Sequence, residues 1–451
     1  MKPGLKQRFL QAAGWMAFGH VLGQIVRFAS SLVLTRLLAP ELYGVMSVGY
    51  AIMTGLSMFS DLGLSAGAIR STRGDDPRFL NVSWVVQIAR GLVMAVGALA
   101  AAAVLKLTAS AGWFPAHSVY AEPLVPELVA VISLFALVSG FESTKVWYAR
   151  RHLAMAALTK IELLCQLATT GFQITWALID PSIWTLAGGW IFGSLIRTTL
   201  SHLWLKGPPN KFEWDWAIFH QVFHFGKWVF LSSAFTFLLN GGDMLLLGGF
   251  LDTKTLGAYS IAVMLIGTLH VAVHKMVGQI ALPALGEVHR DRPQDLQATI
   301  YRIRRPLDIV CLVPAGALLV LGGPIVHWLY DDRYAATGWM LSAMSLTLVL
   351  TRLDVFDQCL VAIGRVKLLS LLNGLRLIAL YGLVPLGFHL YGATGAVYAV
   401  AASALINAAA ILMAQSRLNL LDWRQELFAI PLFAGGAALG WALLSVVQAF
   451  T

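Results

Sequence analysis

The sequence predicts an all-α, polytopic membrane protein, and three observations predict it. Hydrophobic residues make up 58% of the 451-residue chain and charged residues only 12%, with a mean hydropathy of +0.72. A soluble domain carries about 25% charged residues, and its core could not absorb this much apolar surface. Apolar runs of spanning length recur from one end of the chain to the other. Lysine and arginine, finally, gather in every second connection between those runs.

The apolar runs lie at 14–38, 43–63, 82–105, 126–148, 156–179, 183–205, 226–250, 256–282, 307–330, 336–362, 367–390, 392–415 and 429–449. Crossing hydrocarbon takes roughly 20 apolar residues per helix, so the runs number about thirteen, within a range of about 12–14. Backbone groups in lipid must find internal partners, which leaves helices or a closed barrel; runs of this length exclude barrel strands. No polar stretch is long enough for a separate aqueous domain, since the candidates 106–126 and 284–306 are loop-sized. The basic start, residues 1–8, is followed by a long apolar stretch that contains Arg27 and lacks a small-residue cleavage site. It reads as a retained first span and not as a signal peptide.

Basic residues stay on the cytoplasmic side of short loops. With the N-terminus inside (Lys2, Lys6, Arg8), the inside connections hold Arg70, Arg73 and Arg78; Lys145, Arg150, Arg151 and Lys160; and Lys206 and Lys211. Further along they hold Arg290, Arg292, Arg302, Arg304 and Arg305; Arg365 and Lys367; and Arg417 and Arg424. The outside connections hold little beyond Lys106, Lys254 and Arg333. The net charge of +9 is therefore a topology signal and argues against nucleic-acid binding. A count of thirteen would place the C-terminus outside.

The three cysteines, Cys165, Cys311 and Cys359, sit in apolar runs at unrelated spacings and form neither a disulfide nor a metal framework. His270 and His274 share a helix face, but no further ligands are near them, and a zinc site needs at least three protein ligands. They read as core or cavity-lining histidines. No phosphate-binding loop appears, so the chain does not hydrolyse ATP itself. Nor is there a nucleophile–base arrangement or a pair of loop carboxylates fit for catalysis; Glu122 and Glu127 flank prolines in a solvated turn. A constant offset lays Trp15 on Trp228, Leu34 on Leu247, Leu38 on Leu251, Gly44 on Gly257 and Ser47 on Ser260. Such internal duplication is a mark of secondary transporters, and here both copies start on the same side.

A charge within a span is costly and marks a cavity or a partner. Arg27, Arg90, Arg197, Lys275, Arg352 and Arg376 all fall within apolar runs, most of them about 8–13 residues or roughly 12–20 Å deep. Acids are fewer: Glu142, Glu162, Asp243, Asp354 and Asp357. One reading is a basic cavity for an anionic ligand such as a lipid diphosphate, because a guanidinium binds phosphate oxygens bidentately. It would be lined by Arg27, Lys275, Arg90, Arg352 and Arg376. The other is that each arginine pairs with an acid or with helix-end carbonyls and serves packing alone. Arg352 and Asp354 are too close in sequence to face each other on a helix. Asp243 follows Asn240 and paired glycines, a setting for a coupling cation in a broken helix or for an ion pair with a neighbouring helix.

Several motifs carry a family resemblance: 34–44 (LTRLLAPELYG), 61–65 (DLGLS), 225–228 (FGKW), 242–248 (GDMLLLG) and 256–260 (LGAYS). In order and spacing these resemble polysaccharide-repeat flippases of the multidrug, oligosaccharidyl-lipid and polysaccharide exporter superfamily, from about residue 10 to about 415. The resemblance implies two six-helix bundles around a central cavity open alternately to each side. It implies an N-lobe at 1–211, a C-lobe at 212–416 and an extra C-terminal helix at 417–451. It further implies a lipid-linked oligosaccharide substrate on undecaprenyl diphosphate, and a bacterial inner membrane. Arg27 and Lys275 lie on helices whose cavity cations hold the anionic head in relatives, and Asp243 is nearest to an acidic residue of cation coupling. The expectations are thus no cofactor beyond Na+ or H+ coupling, contact with membrane lipids, and polysaccharide polymerase or export proteins as partners. A multidrug or peptidoglycan-precursor exporter would share the fold, though basic cavity residues disfavour cationic drugs. A membrane-embedded polymerase or glycosyltransferase would need a large outer loop with catalytic groups, and the stretch 107–125 offers Glu122 without arginine.

Overall fold

The computed structural model describes residues 5–450, apart from 61–62, 72, 221–232, 234–235 and 240. Among these residues the regular structure is helical throughout, without strands. The chain divides into two compact units, Met1–Leu245 and Leu246–Thr451.

In the first unit the main helices are α1 (Leu5–Leu37), α2 (Pro40–Phe59), α3 (Leu64–Arg70), α4 (Pro77–Ser110), α5 (Leu124–Gly140), α6 (Lys145–Arg151), α7 (Met155–Ile179) and α8 (Ile183–Leu203). Local chemistry sets several boundaries. Pro40 and Pro77 occupy first-turn positions, where the missing N–H is not needed. Asp76 caps α4 by accepting a hydrogen bond from the Arg78 amide at 2.9 Å. Helix α1 packs on α7, α4 on α5, and α8 on both α5 and α7.

The fourth apolar run, 126–148, is not one straight helix: α5 and α6 meet at 58°. The break exposes carbonyls, and α4 satisfies them. Gln87 Nε2 donates to the Gly140 and Glu142 carbonyls at 3.0 and 2.9 Å. Beyond the break, Arg151 donates to the carbonyls of Ile69 and Ser71, both at 2.7 Å. A cation thus sits at the C-terminal end of α3, where the helix dipole favours it.

The second unit contains α10 (Thr253–Asp291), α11 (Leu296–Leu329), α12 (Ala336–Ser345), α13 (Leu348–Thr351), α14 (Asp354–Ala362), α15 (Val366–Arg417), α16 (Trp423–Leu427) and α17 (Ala429–Phe450). A short helix, α9 (Gly242–Gly248), straddles the boundary between the units. The polar stretch 284–306, expected as a loop, is mostly helix: α10 and α11 continue through it and leave a tight turn between them. The run 336–362 is broken into α12, α13 and α14.

Helix α15 has 52 residues, about 78 Å if straight, which exceeds the roughly 30 Å of hydrocarbon. It is not straight. Gly392 has φ 61° and ψ −147°, and Tyr391 is also non-helical. Glycine reaches that conformation without a Cβ clash, and the chain folds there into the two spans expected at 367–390 and 392–415. Among the described residues eight helical stretches are long and apolar enough to cross a membrane, with 336–362 and 423–446 each counted as one, or nine with α5–α6 taken as one span. That tally takes α15 once and leaves out α7 and α8; the run 226–250 lies partly outside the described residues.

The sequence repeat has a structural counterpart. Leu34 and Leu247 are buried, as are Leu38 and Leu251. Ser47 Oγ donates to the Gly44 carbonyl at 2.7 Å, and Ser260 Oγ donates to the Gly257 carbonyl at 2.8 Å. Equivalent positions in the two copies therefore share burial and hydrogen bonding. Trp228 lies outside the described residues, as do 61–62 and 225–228 of the family motifs.

Candidate functional site: ionisable groups within the spans

In the first unit, Arg27 lies on α1 and is exposed, among exposed Ile25 and Phe28. Arg90 reaches from α4 to the C-terminal end of α2. Its Nη2 donates to the Ser57 carbonyl at 2.7 Å and to Ser57 Oγ at 3.1 Å, and its Nε donates to Ser60 Oγ at 3.1 Å. A guanidinium there meets carbonyls left over at a helix end. Arg197 on α8 pairs with Glu142, Nε to Oε1 at 2.6 Å, in the break between α5 and α6. Arg90 and Arg197 thus take the packing arrangement that the sequence offered as an alternative to ligand binding.

In the second unit Arg352 belongs to a buried quartet. Its Nη1 is 3.2 Å from Asp308 Oδ1 and its Nη2 is 3.0 Å from Glu426 Oε2. Arg304, one turn before Asp308 on α11, also pairs with Glu426 and lies 3.4 Å from Asp308. The Arg304 and Glu426 side chains are only 1% and 7% exposed. Tyr301 Oη donates to Glu426 Oε1 at 2.9 Å and accepts from the Asp422 amide at 2.9 Å. Two guanidinium groups face two carboxylates, so the quartet is neutral, which is what makes its burial tolerable. Sequence reading placed Arg304 among the cytoplasmic charges and passed over Asp308 and Glu426. The i, i+4 spacing of Arg304 and Asp308 was the available signal.

A second polar seam lies where α10 meets the broken span. His270 Nε2 is 3.0 Å from Thr347 Oγ1, and its Nδ1 is 2.5 Å from Thr351 Oγ1. One turn on, His274 Nδ1 is 3.1 Å from Asp354 Oδ2. The two histidines are satisfied by hydroxyl and carboxylate partners, and no metal-binding cluster occurs among the described residues. Arg352 and Asp354 do point to different partners, as their spacing requires. Lys275 follows His274 on α10 and is exposed; Arg376 lies half-buried on α15. Asp243 is on the first turn of α9, and Asn240 lies outside the described residues.

These features define a polytopic helical membrane protein whose spans carry both paired and exposed cations. Its fold is shared with solved transporters. An inward-facing MATE-family multidrug resistance transporter of the MOP superfamily aligns with a TM-score of 0.67 at 13% identity, over 88% of this chain and 94% of that one. The lipid II flippase MurJ, in an inward closed conformation, aligns with a TM-score of 0.60 at 13% identity, over 96% and 99%. Residues 33–339 match the family described as polysaccharide biosynthesis protein, and the chain belongs to that family. A curated relative, the succinoglycan biosynthesis transport protein ExoT of Rhizobium meliloti, is 22% identical over 389 residues, 83% of this chain and 73% of the relative.

Proposed function

We propose that the chain is a flippase that carries undecaprenyl-diphosphate-linked oligosaccharide repeat units from the inner to the outer leaflet of a bacterial inner membrane. The observation that carries this reading is the family match across 33–339, joined to a relative that is a polysaccharide transport protein. The fold shared with MurJ supports a transporter reading over a polymerase or glycosyltransferase. A physical logic agrees. The sugar head is too polar for hydrocarbon, while the prenyl tail remains in lipid. Alternating access around a basic cavity would lower the cost of dehydrating the diphosphate. Arg27 and Lys275 are the head-group contacts in this reading, both exposed within apolar helices.

The orientation has the N-terminus in the cytoplasm, from the alternation of lysine and arginine. Cysteines placed in the turn at 292–295 are expected to label from the cytoplasmic side alone; labelling from outside would reverse the topology. Polymerase and export proteins are its expected partners, and the membrane lipids its solvent.

The deciding assay is accumulation of lipid-linked oligosaccharide in a deletion strain, with each leaflet probed separately. Complete repeat units trapped on the cytoplasmic face are the expected result; units that reach the outer face but stay unpolymerised would favour an enzyme. Arg27→Ala and Lys275→Ala are each expected to abolish glycan export at unchanged protein abundance. Normal polymer from both variants would remove these residues from the mechanism.

A further inference from the structure

Between α15 and α17 a short segment is laid against the start of α11. Asn419, at φ 55°, turns the backbone after α15, and Gln297 Nε2 donates to the Leu421 carbonyl at 3.0 Å. Arg305 Nε donates to Gln425 Oε1 at 3.1 Å, next to the buried bonds that Tyr301 and Arg304 make to Glu426. These bonds set two outward helix faces side by side. Around α16, Arg424 is turned about 200° from buried Glu426; around α11, Arg302 is turned about 200° from buried Arg304. Arg302, Arg305, Arg417 and Arg424 are all exposed, and none of them makes an ion pair among the described residues. Two acids flank them: Asp422, which caps α16, and Asp295, which precedes α11. Four cations against two anions leave two positive charges in excess.

The same surface is apolar beside its arginines. Trp423 and Phe428 are 64% and 71% exposed, and exposed Ile430 follows in the first turn of α17. The stretch 423–446 has the length and hydropathy of a membrane span, so Trp423 stands at its end, at the level where tryptophan meets lipid headgroups. We propose that Arg302, Arg305, Arg417 and Arg424, with Trp423 and Phe428, form a docking site for an acidic phospholipid of the bilayer. Its phosphate lies on the guanidinium groups and its acyl chains run along the aromatic rings.

The chemistry selects this occupant. A guanidinium is weakly hydrated and binds phosphate oxygens bidentately, and an indole at the interface covers acyl carbons while its N–H stays in the polar layer. A zwitterionic lipid brings its own cation to the arginines, so the excess positive charge favours an acidic headgroup. An acidic protein would meet the arginines but not cover Phe428 and Ile430, which open a helix that runs into hydrocarbon. The site also has a structural consequence. A phosphate held between Arg302 and Arg305 of α11 and Arg424 of α16 bridges the two helices from outside, as Glu426 bridges them from inside. This inference goes beyond the transport reading and needs only that α17 lies in the membrane.

The test is native mass spectrometry of the full-length protein released from nanodiscs that hold equal amounts of phosphatidylglycerol and phosphatidylcholine. Wild type is expected to retain phosphatidylglycerol in preference by about tenfold. The triple variant Arg302→Gln, Arg305→Gln, Arg424→Gln is expected to lose that preference. Lys206→Gln with Lys211→Gln removes exposed cations of the first unit; it is the control and is expected to retain phosphatidylglycerol as wild type does. Equal losses in the triple variant and the control would make the preference a matter of net charge and overturn the site. Equal retention of both lipids by wild type, the result expected if the arginines face an acidic protein, overturns it too. Displacement of phosphatidylglycerol by stoichiometric undecaprenyl diphosphate would assign the surface to a carrier lipid instead. Unfolding temperature is the second readout. Wild type is expected to unfold at a higher temperature in phosphatidylglycerol nanodiscs than in phosphatidylcholine nanodiscs, and the difference is expected to shrink in about 1 M salt. If the triple variant folds poorly, the single variants Arg302→Gln and Arg424→Gln carry the test, each expected to lower the preference about threefold; wild-type preference in both overturns the site. None of these outcomes alters the transport reading, which the deletion strain decides separately.

Discussion

Replacing Glu426 with alanine is expected to cost about 3–5 kcal/mol, because it leaves buried guanidinium groups without their shared carboxylate. Arg304 and Arg352 both point at Glu426, and Asp308 alone cannot neutralise two cations. The loss also unfastens Tyr301, whose hydroxyl links Glu426 to the Asp422 amide. The segment before α17 is held to α11 by this set of bonds, together with Gln297 donating to the Leu421 carbonyl at 3.0 Å. Thermal and denaturant unfolding of the purified protein in detergent would measure the effect. The double variant Arg352→Met with Glu426→Leu keeps the Arg304–Asp308 pair and removes one charge of each sign. It is expected to recover most of the loss, since apolar replacement of a buried pair is often neutral or stabilising. A change below about 1 kcal/mol in Glu426→Ala would mean that water or rearrangement relieves the arginines, and that the quartet is not what fixes the C-terminal segment.

The second large effect concerns Gly436. Helix α17 packs along α11 so closely that a Cβ at Gly436 would overlap the Val313 carbonyl. One at Gly316 would overlap the Phe433 carbonyl. Small residues at such a crossing let two backbones approach within lipid, where no hydrophobic force drives helices together. Gly436→Leu must push the helices apart and forfeit contacts along the whole crossing. The expected outcome is a loss of well over the usual 1–3 kcal/mol of overpacking, seen as reduced abundance and a lower unfolding temperature. Gly435→Leu is the control, since open space surrounds that position, and it is expected to behave as wild type. Equal damage from both variants would point to helix propensity or insertion and not to the crossing.

Much of the architecture was legible in the sequence because its signals are local. Spanning length, apolar composition and the alternation of basic residues all act over a helix and its flanks. The runs at 367–390 and 392–415 illustrate this: their boundary in sequence falls at Tyr391 and Gly392, the two residues whose non-helical backbone divides the helix in space. The repeat was legible too, and the Ser47–Gly44 and Ser260–Gly257 hydrogen bonds give it physical content. Helix breaks were harder. The run 126–148 is continuous in hydropathy, yet it bends by 58° because Gln87 and Trp84 of α4 supply donors to the carbonyls freed at the break. The stretch 284–306 looked like a loop because it is polar, but polarity does not prevent a helix from extending beyond hydrocarbon.

The sequence by itself determined that this is a multi-pass helical membrane protein, where most of its spans lie, and which spans carry cations. Those properties follow from transfer free energies that each segment meets alone. Only the tertiary structure decided which partners Arg90, Arg197, Arg352 and Asp354 take. Arg90 closes a helix end, Arg197 meets Glu142, Arg352 joins a neutral quartet with a residue 74 positions away, and Asp354 turns to His274. An arginine in hydrocarbon must find compensation somewhere, but the identity of its partner depends on which helices touch and at what register. No hydropathy profile contains that information.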